Sequence, residues 1–346
     1  MCQAYRKFLP HISNNRDFAD LLSELLGELN VSHTGGRYYS DSPALVVANL
    51  GLLYDWNYNG KGMKVDEIVT GGPFDHKNTR LKAGCVIEKI NDQSIETNTA
   101  FYAMMEGLAG KKTSVAIYNP STGERWNEVT LPVNDTKMND LLYKRWVKRC
   151  GAMVDSLSKG RLGYVHIKSM DDASFRTVYS DILGKYNKKE GIVIDTRNNG
   201  GGRLHEDIEV LFSGEKYLTQ VIRGKESCDM PSRRWNKPSI MLQCEANYSN
   251  AHGTPWVYKH KKIGKLVGMP VPGTMTSVSW ETLQDPSLVF GIPIIGYRTK
   301  DGSYLENSQL EPDFKVANAP EDVVAGKDAQ IETAVRELLK QIDKKQ

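Results

Sequence analysis

The sequence predicts an α/β protein with a β-rich insert. From residue 162 onward, short apolar runs such as residues 191–195 and 239–242 alternate with amphipathic helical patterns. This alternation is typical of βαβ units around a largely parallel sheet. Between residues 42 and 134, by contrast, short β-type runs alternate with turns and enclose one helical piece. These two sequence patterns and the length of 346 residues favour two folding units.

The elements of the α/β part are predicted from the spacing of their apolar residues. Residues 141–147 are predicted to form a helix or an edge strand. The remaining strands are predicted at residues 162–167, 191–195, 239–242, 266–267 and 292–295, and the helices at 171–186, 204–212, 254–263 and 331–342.

An amphipathic helix is predicted before the insert. The stretch Asn14-Asn15-Arg16-Asp17 can cap it, and apolar side chains at helical spacing between residues 18 and 29 form one stripe. The helix ends at Asn30, and His33 follows in a loop that the next two glycines allow to bend. Taken by itself, this segment is most simply a helix exit with an exposed histidine.

The composition excludes several classes of function. A net charge of +3 does not suggest a nucleic-acid or membrane partner, and no apolar run approaches the roughly 18 residues that span a bilayer. Five widely spaced cysteines do not indicate a disulfide framework or a zinc site, and seven scattered histidines show no metal-ligand spacing. No signal peptide is visible, but the chain opens abruptly, as a piece of a longer protein would. We expect a soluble protein, cytoplasmic or periplasmic, with the compartment left open.

Ser249 lies at a turn between a predicted strand and a predicted helix. A hydroxyl there meets the positive end of a helix dipole, which suits a nucleophile. However, Ser and Asn are also the favoured helix caps, so an ordinary cap at Ser249 or Asn250 is the simpler interpretation of this segment alone.

A glycine loop follows the apolar strand at residues 191–195. Gly200, Gly201 and Gly202 precede a helix and expose backbone N–H groups. The loop is a tight turn, a phosphate loop or an oxyanion hole, and the missing P-loop lysine disfavours the second. If this strand and the one before Ser249 are neighbours, the glycine donors and the hydroxyl share one crevice.

A catalytic serine needs a base. His252 is only three residues from Ser249 and would have to bend back, so His33 is the better candidate. A histidine base in turn needs an acceptor that orients it, and Glu306, in a loop after the strand at 292–295, is a plausible partner.

The insert resembles a PDZ domain. Leu50, Gly51 and Leu52 are similar to its carboxylate-binding loop and strand, and residues 82–95 are similar to its strand signature, with Cys85 where an acid is common. The resemblance implies that Leu50, Gly51 and Leu52 bind a peptide as an added strand.

Four motifs of the remaining chain occur in a specific order. They are Ser32-His33, the D-x-R-x-N-x-G-G pattern at residues 195–202, the turn Tyr248-Ser249-Asn250-Ala251, and Glu306-Asn307 followed by Glu311-Pro312-Asp313. With the PDZ-like insert between the first and second, they resemble the core of tricorn protease and related serine peptidases, the superfamily that includes the carboxyl-terminal processing proteases. The resemblance covers nearly all of the chain.

The resemblance implies a domain order. A helical segment at residues 1–41 carries the Ser-His pair, a PDZ domain covers 42–134, and a crotonase-like (ClpP/crotonase) α/β catalytic domain covers 135–346.

The resemblance also implies a role for each motif residue. Ser249 would be the nucleophile, His33 the general base, and Glu306 would orient His33 through Ser32. The backbone N–H groups of Gly201 and Asn250 would form the oxyanion hole. No metal or cofactor is implied.

Three features depart from the related proteins. Thr274 stands where the processing proteases have a lysine base, which favours the histidine arrangement. Asn250 replaces the acid of tricorn, which leaves the main-chain role intact and opens the question of substrate preference. The β-propeller domains that precede the core of tricorn are not present in this sequence.

The resulting prediction is a serine peptidase that hydrolyses peptides or unfolded proteins through an acyl-enzyme. The alternative is a non-catalytic PDZ protein that binds peptides and carries a degenerate peptidase domain, and a nucleotide-binding enzyme is disfavoured. Assembly into a homo-oligomer is left open.

Overall fold

The computed structural model describes residues 2–40, 46–96 and 98–344. The helices, in chain order, are α1 (Cys2–Tyr5), α2 (Asn15–Gly27), α3 (Asn98–Met104), α4 (Asp135–Leu157), α5 (Asp172–Ser180), α6 (His205–Phe212), α7 (Asn250–His260), α8 (Pro320–Val324) and α9 (Ala329–Asp343). The strands are β1 (Gly35–Tyr38), β2 (Leu52–Tyr54), β3 (Met63–Ile68), β4 (Val86–Ile90), β5 (Gln93–Ser94), β6 (Thr113–Tyr118), β7 (Arg125–Thr130), β8 (Leu162–His166), β9 (Gly191–Asp195), β10 (Leu218–Ile222), β11 (Lys225–Met230), β12 (Ser239–Gln243), β13 (Lys265–Gly268), β14 (Thr276–Thr282), β15 (Leu288–Gly296) and β16 (Phe314–Lys315).

The chain divides into two compact units. One unit consists of Met1–Asp41 and Cys150–Gln346, and the other of Ser42–Arg149. The predicted boundary between residues 41 and 42 lies outside the described residues. The other division between the units falls inside α4, and Met138 and Leu141 of this helix pack with Val69 of the β-rich unit. The predicted domain limit at residue 134 stays a prediction.

The larger unit is built on a parallel sheet, as its sequence pattern predicts. Five strands lie in the order β16-β13-β12-β9-β8, and each pair of neighbours is parallel. All residues of β9 and β12 are buried, because helices cover strands of a parallel sheet on both faces. Helix α9 packs on β9, β12 and β13, and the core on the sheet also includes side chains of α6 and α7.

β9 and β12 are direct neighbours in this sheet. Leu242 of β12 is in register with Asp195 of β9. The glycine loop that follows β9 and the turn that follows β12 therefore leave the sheet at the same edge, which is the condition for a shared crevice.

A second sheet of this unit was not foreseen. Residues 292–295 are predicted as a strand of the main sheet, but they belong to β15, which pairs antiparallel with β1 and β14. Strand β14, with the sequence Thr-Ser-Val-Ser-Trp-Glu-Thr, lacks an apolar run and was missed. Strand β15 is exposed toward its C-terminal end. This exposure fits an antiparallel sheet, because only the strands of a parallel sheet are covered by helices on both faces.

The β-rich unit is an antiparallel sheet with its own core. Its strands lie in the order β2-β3-β4-β6-β7, and β5 pairs with β4. The core includes Leu50 and Leu52 of the predicted peptide-binding loop and Phe101 of α3. Among the helices of the described ranges, none is long and apolar enough to cross a membrane.

Candidate active site

Ser249 occupies a strained turn between β12 and α7. Its backbone has φ 57° and ψ −125°, a conformation that costs a non-glycine residue of order 1–3 kcal/mol and that clusters at functional sites. The Ser249 side chain makes no capping hydrogen bond to α7. The interpretation of Ser249 as an ordinary helix cap is therefore wrong, and its hydroxyl remains available for chemistry.

Asn250 does cap a helix, but a different one. Its Oδ1 accepts hydrogen bonds from the backbone N–H groups of Leu204 (2.8 Å) and His205 (3.0 Å), at the start of α6. Its Nδ2 lies 2.7 Å from Nδ1 of His205. The side chain thus connects the start of α7 to the helix after the glycine loop, a role that no pattern in the sequence indicates.

The glycine loop approaches Ser249 closely. Gly201 has φ +99°, and a Cβ placed on it would lie 2.6 Å from Cβ of Ser249. Only glycine fits at this position. The Gly201 N–H donates to Oδ1 of Asn199 (2.8 Å), whereas the backbone N–H of Asn250, at the first position of α7, has no partner among the described residues. Two backbone N–H groups are predicted to form the oxyanion hole. That of Asn250 has no hydrogen-bond acceptor among the described residues, whereas that of Gly201 already donates to Asn199.

The His33 loop contacts the turn that contains Tyr248 and Ser249. The backbone N–H of His33 donates to the hydroxyl of Tyr248 (2.7 Å), and the two rings lie 4.6 Å apart. His33 has φ 65°. A Cβ on Gly291 of β15 would lie 2.9 Å from the His33 carbonyl, so a glycine there lets the loop lie against β15. These contacts bring His33 beside the residue that precedes Ser249.

Ser32 and Glu306 hold one ring nitrogen of His33. The hydroxyl of Ser32 lies 2.7 Å from Nδ1 of His33 and donates to Oε2 of Glu306 (3.0 Å). The Ser32 N–H donates to Oε1 of the same carboxylate (2.5 Å). Because the Ser32 proton is directed at a carboxylate, its oxygen accepts from Nδ1–H. Nε2 of His33 is then the unprotonated nitrogen that can accept a proton.

The surroundings of His33 favour its neutral form. Burial lowers the pKa of the imidazole, and the negative charge of Glu306 partly opposes this shift. A lowered pKa keeps the ring unprotonated, which a general base requires. The described residues show no hydrogen bond between the His33 ring and Ser249, and such bonds are often long before a substrate binds.

Two threonines before and within β14 complete the site. The Ser249 N–H donates to Oγ1 of Thr274 (3.1 Å), the threonine that the resemblance aligns with a lysine of the processing proteases. Oγ1 of Thr276 lies 3.0 Å from Nδ1 of His33 and 3.0 Å from Oγ of Ser32. Thr276 was missed because β14 was missed.

A buried ion-pair network lies beneath the glycine loop. Arg197 bonds to Asp195 (2.7 Å) and to Asp328 (2.8 Å), which caps α9. Burial raises the pKa of Asp195, but Arg197 outweighs it and the pKa is lowered. The D-x-R part of the loop motif therefore ties the loop to the C-terminal helix.

His252 lies outside the catalytic arrangement. It is fully buried, and neither ring nitrogen has a hydrogen-bond partner among the described residues. Burial lowers its pKa to about 4, and its position in the interior of the protein argues against a role as base. Within the described ranges, no group of three or more His, Cys, Asp or Glu residues is arranged to hold a metal ion.

Comparison with known proteins relates part of the larger unit to a family of peptidases. Residues 161–316 match the model of peptidase family S41, so this part of the chain is similar to a serine-type peptidase domain.

The chain is similar to tricorn proteases over nearly its whole length. The chain is 26% identical to tricorn protease homolog 1 of Streptomyces coelicolor over 96% of its own length and 32% of that relative. It is 22% identical to the chloroplastic C-terminal processing peptidase of Tetradesmus obliquus over 77% of this chain and 59% of that relative. The crystal structure of the tricorn protease shares the fold, with a TM-score of 0.84 and 21% identity over 99% of this chain and 34% of that chain.

The resemblance predicted from the sequence motifs is thus confirmed. The chain spans about a third of the length of the tricorn relative and of the tricorn structure.

Proposed function

We propose that the chain hydrolyses peptide bonds of peptides or unfolded proteins through an acyl-enzyme on Ser249, with His33 as general base. The observation that carries this proposal is the chain of hydrogen bonds from Glu306 through Ser32 to Nδ1 of His33. It leaves Nε2 as the proton acceptor, on a ring that contacts Tyr248, the residue before a strained serine whose hydroxyl caps nothing.

The mechanism uses these groups in sequence. Ser249 Oγ attacks the carbonyl carbon while Nε2 of His33 takes its proton, and the resulting imidazolium is stabilised by the Ser32 hydroxyl and the Glu306 carboxylate. The same proton then goes to the leaving amine. Water, deprotonated at Nε2, attacks the ester and frees Ser249.

The oxyanion is proposed to bind backbone N–H groups at the positive end of α7. Asn250 supplies the first donor. Gly201 supplies the second when its N–H leaves the carboxamide of Asn199, to which it now donates.

The β-rich unit is proposed to be a PDZ-like domain that binds peptides. Leu50 and Leu52 line a cavity beside β2, while Gly51 packs against Gly72 and Pro73. Because peptides can bind in such a cavity, a non-catalytic peptide-binding protein remains the alternative. A crotonase-like topology, the predicted domain limits and assembly into a homo-oligomer stay predictions.

Labelling by a fluorophosphonate probe tests the catalytic proposal. We expect the wild type to be labelled, and the Ser249→Ala and His33→Ala variants to lose labelling by at least a hundredfold. Ser13→Ala and His11→Ala are matched controls, because both residues are exposed and lie outside the site. Unlabelled wild type should cleave a mixed peptide library, and the Ser249→Ala variant or protein already labelled by the probe should not.

Two outcomes contradict the proposal. Labelling that survives Ser249→Ala means that another serine is the nucleophile. A folded wild type that neither labels nor cleaves, yet binds peptides, supports the non-catalytic alternative.

A further inference from the structure

A cavity of about 460 Å³ lies within the β-rich unit. Its walls include β2, residues of α3 such as Phe101 and Tyr102, and the first turns of α4. A cavity of this size accommodates several side chains of a peptide.

Strand β2 offers a backbone edge to this cavity. Within the described sheet, β2 is the outermost strand and pairs only with β3. The other edge of a strand in this position carries unpaired N–H and C=O groups, to which an extended peptide can add. Leu50 and Leu52 supply an apolar floor beside it.

The charged groups in the cavity are all acidic. Asp66 and Asp135 line it, and none of its described lining residues is Lys, Arg or His. Leu53 pairs with Glu67 and Tyr54 with Val65, so Asp66 is the extra residue of a β-bulge, a feature that redirects a side chain.

Neither Asp66 nor Asp135 has a cation within salt-bridge distance among the described residues. Arg145 interacts electrostatically with Asp66, but its hydrogen-bonded partner is Glu67. Lys64 is paired with Asp55 at 3.0 Å, and Arg145 is paired with Glu67 at 2.5 Å.

The carboxylate of Asp135 lies next to the Leu50-Gly51-Leu52 loop. Asn49, the residue before Leu50, exchanges backbone hydrogen bonds with Val133 (2.7 and 2.8 Å). Its side-chain Nδ2 donates to Oδ1 of Asp135 (2.7 Å). A negative charge of this protein is therefore held beside the loop that the resemblance to a PDZ domain predicts to bind a terminal carboxylate.

We propose that this cavity binds an extended peptide segment that carries a cationic group, and that it rejects a free C-terminal carboxylate. The apolar floor and the edge of β2 bind the backbone and apolar side chains. Asp66 and Asp135 attract the cation and repel a terminal carboxylate. The inference concerns ligand choice by the β-rich unit and does not depend on catalysis.

The test measures binding of fluorescent twelve-residue peptides to the full chain with Ser249→Ala, which prevents cleavage. All peptides share one alternating apolar sequence. The reference peptide is acetylated, amidated and uncharged. Three others each add one feature, namely a central lysine, a free N-terminal amine or a free C-terminal carboxylate. The lysine and amine peptides show which source of positive charge is preferred.

We expect one of the two cationic peptides to bind about tenfold more tightly than the uncharged one, and the carboxylate peptide to bind more weakly than it. The cationic advantage should shrink at high salt, because surface charges are screened. Asp66→Asn and Asp135→Asn should each reduce it at least threefold. Asp92→Asn is the matched control, an exposed aspartate in a turn that does not line the cavity.

Equal affinity for the cationic and uncharged peptides would overturn the proposal. So would tighter binding of the carboxylate peptide, or an equal loss in the Asp92→Asn control. Loss of fluorophosphonate labelling in the wild type would contradict the peptidase proposal alone and leave these affinities unaffected.

Discussion

Replacing Glu306 by glutamine tests the relay to His33 most directly. Glu306 now accepts from both the backbone N–H and the hydroxyl of Ser32. A carboxamide has one acceptor oxygen, so it cannot accept both bonds in this geometry. The change therefore removes a negative charge and weakens the orientation of the imidazole.

The magnitude follows from the distances. Two hydrogen bonds of 3.0 and 2.7 Å connect the carboxylate to Nδ1 of His33, so the charge lies about 6 Å from the ring. At an effective dielectric constant between about 20 and 80, this charge favours imidazolium by about 0.7 to 3 kcal/mol, or half a unit to two units of pKa. Since Glu306 raises the pKa of His33, Glu306→Gln must lower it further.

The rate constant of fluorophosphonate labelling, measured from pH 4 to 8, reports this pKa without requiring a known substrate. In the wild type, the rate should fall with acid at a midpoint below 6.5, the ordinary value for histidine, because burial lowers the pKa of His33. In Glu306→Gln the plateau rate should fall by about 10- to 100-fold, while the midpoint moves about one unit lower. Glu332→Gln, an exposed glutamate of α9, is the control. A midpoint that stays or moves to higher pH would refute the relay.

Three further predictions concern stability. Ser249→Gly should be about 1 kcal/mol more stable than Ser249→Ala in thermal unfolding, because glycine relieves the positive φ; equal stability would mean that the turn is unstrained. Because burial lowers the pKa of His252 to about 4, its stabilising contribution is complete above about pH 6.5 and is lost toward pH 4, by up to about 3 kcal/mol. In urea unfolding, His252→Leu should reduce the difference in free energy of unfolding between pH 7 and pH 4.5. An unchanged difference would contradict the conclusion that His252 causes the loss. Asn250→Ala should cost about 1 kcal/mol in urea unfolding through the lost cap of α6, whereas Asn250→Asp keeps both acceptor bonds and should cost less.

The errors in the fold prediction share one cause. The hairpin of β10 and β11 and the strand β14 carry few buried apolar residues, so periodicity gave no signal for them. Strand β15 was detected but assigned to the wrong sheet, because an apolar run indicates a strand without naming its partner. Helix α4 was predicted only in part, over residues 141–147, and its first turns pack in the β-rich unit.

The candidate site, like the fold, was predicted only in part from the sequence. The four motif residues Ser32, His33, Ser249 and Glu306 were named from the sequence, since their motifs are local and occur in a recognisable order. Two further contacts were not predicted from the sequence. They are the position of Thr276 beside Nδ1 of His33 and the cap that Asn250 provides to α6. Each depends on a contact between segments that are distant in the chain.

The sequence by itself determined the parallel sheet, the capped start of α2 and the similarity to serine peptidases, because burial on both faces, capping and sequence motifs are encoded within short stretches. Tertiary structure alone decided that Ser249 is not a cap, that Gly201 donates to Asn199, and that an acidic cavity adjoins β2. Ser32 and Glu306 are 274 residues apart in the chain. Contacts of this range depend on how packed elements bring their ends together, and no local pattern of residues encodes that arrangement.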